Sequence, residues 1–236
     1  MEGGGYVRGK LIAFEGLDAS GKSTQIRLVL KALAKRKIEH ECIGFPRTRE
    51  PGYGEAIAMF LRGELGSVTE VNPYLIAGLY AGDRATARAH IEERLRAGCL
   101  VIADRYTYSN LAFQGAKIAD PEAKRRFLAW LRRLEFESIG LPAPALTIFF
   151  DAPLEFVRAK LSARQSDERR SYLQGKADIH ESSLDLQERV ALEYRSFAAE
   201  DPSFVAISLA SGRSIQDVHR ETMQTLEQRG ILAARG

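Results

Sequence analysis

Several features that would assign this chain of 236 residues to a special class are missing from its sequence. No apolar run approaches the roughly 18 residues that a membrane-spanning helix needs. The opening MEGGGYVRGK lacks both the basic start and the apolar stretch of a secretory signal. We therefore expect a cytoplasmic protein with no membrane partner.

Metal-ligating and disulfide-forming residues are also scarce. The two cysteines, Cys42 and Cys99, lie in or beside predicted buried strands and lack metal-ligand spacing, so we expect both to be small, reduced core residues. The four histidines form no cluster in sequence, which argues against a zinc site.

The charge balance is mild. The formal net charge is +3, and no block of five or six basic residues occurs. This favours binding of a small polyanion over binding of nucleic acid.

One short segment carries a strong motif. FEGLDASGKST, residues 14–24, matches G-x-x-x-x-G-K-[ST] at Gly16, Gly21, Lys22 and Ser23. Glycines let successive backbone N–H groups turn toward phosphate oxygens, and the helix that follows directs its positive dipole end at them. Lys22 can reach the β and γ oxygens, and the Ser23 hydroxyl can bind Mg²⁺. The loop predicts a site for the phosphates of a nucleotide, formed by Gly16, Leu17, Asp18, Ala19, Ser20, Gly21, Lys22, Ser23 and Thr24.

Apolar runs alternate with helical patterns along the whole chain. The loop follows KLIAF, and further runs occupy 41–45, 99–104, 145–151 and 204–209. Near-continuous apolar strands between helices predict an α/β fold, with a five-stranded parallel sheet covered by helices on both faces. We expect helices over 54–62, 73–97, 121–136, 153–164, 183–199 and 214–229, with Asn72-Pro73 and Ser214 starting two of them.

A single domain accounts for this pattern. We expect it to span 10–230, between a flexible N-terminus at 1–9 and a C-terminal tail at 231–236. The polar, Arg- and Asp-rich segment 163–183 does not fit the scaffold. In a P-loop NTPase fold, such an excursion after a strand and helix is typical of a mobile lid, although a solvated loop without a task is the alternative.

Charged residues follow two of the predicted strands. Asp104 and Arg105 come directly after 99–103, and Phe45, Arg47, Arg49 and Glu50 follow the second strand. Since carboxyl ends of parallel strands share one edge of a sheet, both groups face the phosphate loop. Asp104 can hold Mg²⁺, partly through water, and Arg105 can neutralise a transferring phosphoryl group.

The chain resembles the thymidylate kinases, a family of P-loop nucleoside monophosphate kinases. The resemblance covers nearly the whole chain through GLDASGKST, FPRTREPG, LYAGDR, DRYTYSNLAFQGAK and GLPAPALTIFFDAP. It implies transfer of the γ-phosphate of ATP to the 5′-phosphate of dTMP, with Mg²⁺ as cofactor, no nucleic-acid partner, and a homodimer. A monophosphate is mostly a dianion at neutral pH, so this reaction needs no general base.

The resemblance also implies roles for individual residues. Lys22 would serve ATP, and Asp18 would contact the acceptor's sugar or the metal shell. Arg49 and Arg105 would grip the acceptor phosphate, beside Phe45 and Glu50. Tyr80 and Arg84 would stack on and hydrogen-bond the thymine, with further contacts to the acceptor from Ser109, Asn110, Phe113 and Gln114.

The chain departs from the family pattern at three places. Ala145 stands where members usually have Asp, and Ala19 and Ser20 leave the loop without the basic residue that some members carry there. The lid reads Asp178, Ile179, His180, Glu181, without the Arg of an Asp-Arg-Ile-Glu string. The catalytic cation is then expected from the lid, where Arg164, Arg169 and Arg170 are the candidates; Arg164 is also expected to contact ATP.

Two other functions are compatible with a phosphate loop. A deoxynucleoside kinase, or a kinase for another monophosphate, is the nearest rival; Glu50 would then be the base that a neutral hydroxyl acceptor requires. A GTPase-like switch would need Asn-Lys-x-Asp, and the closest string, GKAD at 175–178, lacks the Asn.

Overall fold

The computed structural model describes residues 9–68, 70–162, 172–174, 178–180, 184–210 and 212–233. Its centre is a five-stranded parallel sheet in the order β2-β3-β1-β4-β5. The strands are β1 (Leu11–Gly16), β2 (His40–Gly44), β3 (Leu100–Asp104), β4 (Leu146–Asp151) and β5 (Phe204–Ser208). The predicted fold class is confirmed, and each strand lies within one or two residues of its predicted run.

Helices cover both faces of this sheet. They are α1 (Lys22–Lys35), α2 (Tyr53–Leu61), α3 (Pro73–Arg96), α4 (Thr107–Gly115), α5 (Pro121–Arg132), α6 (Leu154–Ser162), α7 (Leu184–Glu200) and α8 (Ile215–Gln228), and a π-helical segment, Arg133–Ser138, follows α5. Alternate residues of β1 point to opposite faces. Ile12 and Phe14 pack with residues of α1 and α8, whereas Leu11 and Ala13 pack with residues of α3. The central strand is therefore buried on both sides.

Two predicted helix starts have the expected caps. The Asn72 side chain accepts a hydrogen bond from the Tyr74 amide at 2.9 Å ahead of α3. Ser214 and Asp217 form a capping box at the start of α8.

The structure differs from the sequence expectation at two elements. The expected helix over 121–136 is α-helical only to Arg132 and continues as the π-helical segment. Helix α4 was not expected, because its nine residues are fewer than the roughly 11–18 over which a helical period can be recognised.

The prediction for the cysteines is half wrong. Cys99 is buried, but Cys42 is exposed. Its strand, β2, lies at the edge of the sheet beside β3 alone, and three of its five residues are only partly buried while the other two are exposed. An apolar run at a sheet edge lacks the neighbouring strand that would complete its burial.

None of the described helices is both long and apolar enough to cross a membrane.

Pairing between β1 and β3 sets the position of the site. Phe14 is opposite Asp104, and the amide of Arg105 donates to the Phe14 carbonyl at 2.9 Å. The phosphate loop after β1 and the Asp104-Arg105 pair after β3 therefore leave the sheet side by side.

Candidate active site

The phosphate loop borders a cavity of about 390 Å³, called here the P-loop cavity. Gly21 precedes α1 with a left-handed φ of 93°, and no side chain caps the first turn of the helix. The amides of this turn are therefore directed toward the loop without a side-chain acceptor. All the residues from Leu17 to Gln25 line the cavity, and its other walls are formed by Arg105, Phe156, Lys160, Leu209, Arg213, Ser214, Ile215 and Val218.

A second cavity, of about 350 Å³, lies beyond the ends of β2 and β3. We call it the aromatic cavity after its lining residues Phe45, Tyr80, Tyr106, Phe113 and Tyr172. The rings of Phe45 and Tyr106 are 6.0 Å apart. Flat apolar walls of this kind suit a planar ring.

Three charged side chains, Asp18, Lys22 and Arg105, line both cavities. Lys22 is buried and its Nζ donates to the carboxylate of Asp104. The neighbouring Ser23 lines the P-loop cavity, so the site contains a hydroxyl as well as the Asp104 carboxylate. Both are hard oxygen donors of the kind that Mg²⁺ prefers, and this donor set fits the expected cofactor.

Arg105 has a left-handed backbone with φ at 68°, which is uncommon for a residue with a side chain. Its guanidinium donates to Asp18 at 2.8 Å and to Ser109 at 3.1 Å, and it lies 5.2 Å from the centre of the Phe113 ring. Burial by itself would raise the pKa of Asp18, but the charges of Arg105 and Lys22 outweigh it and the pKa is lowered. Asp18 therefore stays ionised between the cavities.

Glu15 holds this arrangement in place and was not predicted. It is fully buried at the end of β1 and accepts hydrogen bonds from the amides of Tyr106 and Ser109 at 2.8 and 3.1 Å. The hydroxyls of Ser109 and Tyr194 donate to its other oxygen at 2.5 and 2.9 Å. The sequence signal for Glu15 was an acidic residue inside the otherwise apolar strand LIAFEG, because a buried acid needs hydrogen-bond partners.

Described residues of the expected lid segment close one side of the aromatic cavity. Tyr172, Asp178 and His180 line it, and the Ile179 amide donates to the Leu61 carbonyl at 3.1 Å. The His180 ring lies 5.2 Å from that of Phe113. Burial and the nearby Lys117 hold the pKa of His180 well below its usual value, so this imidazole is neutral.

Arg84 is almost completely buried at the wall of the aromatic cavity. Its Nε and Nη2 donate to the two carboxylate oxygens of Glu135 at 2.8 and 2.5 Å. Burial opposes the charge, but Glu135 raises the pKa of Arg84. Asn110 donates to the same carboxylate at 2.8 Å. The sequence did not indicate this role of Glu135 as the partner of Arg84 and Asn110.

Most of the predicted site residues come together at these two cavities. The aromatic cavity gathers Asp18, Lys22, Phe45, Tyr80, Arg84, Asp104, Arg105, Ser109, Asn110, Phe113 and Gln114, and the P-loop cavity gathers residues 17–24.

Three predicted site residues among the described ones are not brought to the cavities. Gly16, in β1, is the last strand residue before the lining begins. Arg49 and Glu50 are exposed, and neither is among the described residues that line the two cavities. Thr48 lines the aromatic cavity instead. Arg47 anchors this turn, since its amide and Nε both donate to Asp83 at 2.9 Å. Arg164, Arg169 and Arg170 lie outside the described residues.

Comparisons with known proteins agree with this geometry. The Thymidylate kinase family model matches residues 14–222. A thymidylate kinase of Mycobacterium tuberculosis is 33% identical over 191 residues, which cover 80% of this chain and 86% of the relative. One from Chromobacterium violaceum is 31% identical and covers 94% of this chain and 95% of its own. The structure of a thymidylate kinase from Candida albicans superposes with a TM-score of 0.71 at 26% identity, covering 94% and 93% of the two chains.

The phosphate loop and the aromatic cavity share three charged lining residues, and the family model matches residues 14–222. The chain therefore belongs to the thymidylate kinase family of phosphotransferases.

Proposed function

We propose that the chain transfers the γ-phosphate of ATP to the 5′-phosphate of dTMP, with ATP in the P-loop cavity and dTMP in the aromatic cavity. The observation that carries this proposal is that Asp18, Lys22 and Arg105 line both cavities. Two cations at the junction can neutralise a phosphoryl group as it passes from one cavity to the other.

On the donor side, the loop amides and Lys22 would hold the β- and γ-phosphates. Phe156 and Ile215 are exposed side chains that line the P-loop cavity, and Arg213 lines it as well. These side chains offer a surface for the adenine ring. Arg164 remains a predicted ATP contact.

Mg²⁺ would be held by the Ser23 hydroxyl and by Asp104, in part through water. It would supply positive charge to the donor phosphates and fix their orientation. Lys22 would then exchange Asp104 for a phosphate oxygen, since a single ammonium group can serve as donor to either acceptor.

On the acceptor side, Arg105 would hold the dTMP phosphate, and the exposed Arg49 would approach it once dTMP is bound. Asp18 would accept from the sugar hydroxyl and Phe113 would pack against the deoxyribose. The base would lie between the aromatic walls, near Tyr80, Arg84, Asn110 and Gln114. Since the acceptor phosphate is already anionic, no side chain has to remove a proton.

The lid would supply the last cation. Ala19 and Ser20 give the phosphate loop no basic residue between Asp18 and Gly21. Arg169 and Arg170 are the proposed source of charge for the transferring group.

We also propose a homodimer through one face of α3. Leu75 on this face is 69% exposed, and a Cβ added at Gly78, one turn later, would meet no atom within 4 Å. Tyr53, also exposed, lies over Gly82 on the next turn. An exposed apolar helix face of this kind is typical of a subunit interface.

The dimer can be tested by sedimentation velocity. Leu75→Glu places a charge on the proposed interface and should shift the protein from dimer to monomer. Leu192→Glu, at an exposed leucine of α7, is the matched control and should leave the dimer intact. A Leu75→Glu protein that stays dimeric would exclude this face. The predicted cytoplasmic location is a separate expectation, to be tested by cell fractionation.

The reaction itself is tested by ADP release with ATP, Mg²⁺ and a panel of nucleosides and monophosphates. We expect dTMP to be preferred, dUMP to follow within about two orders of magnitude, and dCMP to be far weaker. UMP should be weaker than dUMP, because the apolar Phe113 ring gives the added hydroxyl no partner. Preference for thymidine would favour a deoxynucleoside kinase, and selective binding of guanine nucleotides would favour a GTPase-like switch.

A further inference from the structure

The apolar face of α5 ends in a buried acid. Phe127 and Leu131 are fully buried one turn apart, and Glu135 continues the same face at 1% exposure. A carboxylate at such a position is costly unless it is paired. Replacing a buried ion pair by apolar side chains is often neutral or stabilising, so stability alone does not explain Glu135.

The Glu135 carboxylate satisfies three donors from two residues. Arg84 donates to this carboxylate from Nε and Nη2, and its third guanidinium nitrogen, Nη1, is not part of the ion pair with Glu135. Asn110 donates from Nδ2 to Oε1 at 2.8 Å. Arg84 and Asn110 line the aromatic cavity. Glu135 contacts both of them but is not among the described residues that line the cavity.

The side-chain amide of Asn110 can adopt only one orientation. Its Nδ2 donates both to Glu135 and to the Ala77 carbonyl, the latter at 3.0 Å. Turning the amide over would put its oxygen against two acceptors. The Oδ1 atom is buried and has no hydrogen-bond partner among the described residues. Asn110 lines the aromatic cavity, so this acceptor belongs to a side chain at the cavity wall.

We infer that Glu135 is a positioning residue for base recognition, which fixes Arg84 as a donor and Asn110 as an acceptor side by side. This inference rests on the proposed acceptor, dTMP. A donor beside an acceptor matches a ring edge with a carbonyl next to an N–H, as at O4 and N3 of thymine or uracil. Cytosine presents the reverse pattern, with an amino donor at C4 and a bare acceptor at N3.

Glu135→Gln tests the inference with little change of shape. The amide cannot accept from all three donors, so Arg84 or Asn110 loses its support. We expect kcat/KM for dTMP to fall roughly tenfold to a hundredfold, mainly through KM, because the base lies away from the transferring phosphate. The values for dCMP and the KM for ATP should change less than about threefold. The preference for dTMP over dCMP should therefore fall at least about tenfold.

Glu227→Gln is the matched control. Glu227 accepts from Arg36 at 2.6 Å, in a partly buried pair between α8 and the end of α1. Its loss should leave the base preference and the KM for dTMP unchanged. If Glu135→Gln keeps the preference of the unmodified enzyme, whether or not overall activity falls, the positioning role is wrong.

A second measurement uses the unmodified enzyme and does not depend on the variant's folding. N3-methyl-dTMP retains O4 but lacks the N3 hydrogen, so we expect its kcat/KM to be at least about a hundredfold below that of dTMP. Equal use of the two nucleotides would overturn the assignment of Asn110 Oδ1 and, with it, the role of Glu135. An unmodified enzyme that does not phosphorylate dTMP at all would instead refute the proposed function.

Discussion

Glu15 gives the sharpest test of how the site is held together. One of its oxygens accepts from the amides of Tyr106 and Ser109, at the turn that carries Arg105. The other accepts from the hydroxyls of Ser109 and Tyr194. Glu15→Ala removes all four hydrogen bonds. Glu15→Gln keeps one oxygen as the acceptor for the two amides, and its NH₂ group can donate to the two hydroxyls once these rotate to act as acceptors.

The alanine variant should lose more stability than the glutamine variant. In the alanine variant, two buried amides lose their acceptor at about 1–3 kcal/mol each, while the hydroxyls still bond one another. The expected loss is about 2–6 kcal/mol, a large share of the stability of a typical domain. In the glutamine variant only the charge assistance is lost, about 1–2 kcal/mol. That corresponds to a Tm about 2–8 °C lower.

Thermal and urea unfolding, followed by circular dichroism, would measure both losses. Asp201→Asn is a matched control, because Asp201 also accepts hydrogen bonds from an amide and two hydroxyls. Asp201 is not among the described residues that line the two cavities. We expect Asp201→Asn to lower the Tm without changing kcat/KM. An alanine variant as stable as the unmodified protein, or a glutamine variant as unstable as the alanine one, would refute the account of Glu15.

Three further predictions concern lysines and the lid. Lys22→Ala should stay folded yet lose about 3–4 kcal/mol of transition-state stabilisation, and a folded variant with near-normal turnover would contradict the phosphate-loop assignment. Joint replacement of Arg169 and Arg170 by Ala should lower kcat far more than dTMP affinity; weakened binding with unchanged kcat would make the lid a substrate clamp. Burial lowers the pKa of Lys117 from 10.5 to about 7. Between these values the unfolded chain holds a proton that the folded protein has released, so stability should rise with pH by at most about 1.4 kcal/mol per unit. Lys117→Met should flatten this rise between pH 7 and 9, and unchanged slopes in urea unfolding would contradict it.

Features that depend on neighbouring residues were predictable from the sequence. The spacing of Gly16, Gly21, Lys22 and Ser23 requires only a strand before it and a helix after it, and both have a local periodicity. The strand boundaries followed for the same reason. Helix α4 was not predicted, because nine residues are too few to establish a helical period in the sequence.

Contacts between distant segments were not predictable in the same way. Arg84 was expected to serve the base directly, and no local pattern indicates that Glu135, 51 residues later, takes two of its nitrogens. The exposure of Cys42 depends on the strand order, which places β2 at an edge. Apolar composition predicts that a segment forms a strand, but the neighbours of that strand are decided by the packing of the whole sheet.

The sequence by itself determined which groups are available for the proposed chemistry: a loop for phosphate, arginines to offset phosphate charge, and aromatic residues to pack against a planar ring. Only the tertiary structure decided which of these groups meet. Lys22 comes from α1 and Arg105 follows β3, and they line the same two cavities because β1 and β3 are paired with Phe14 opposite Asp104. Hydrogen bonds and ion pairs act over a few ångströms, so their partners are set by the order and register of the strands and not by distance along the chain.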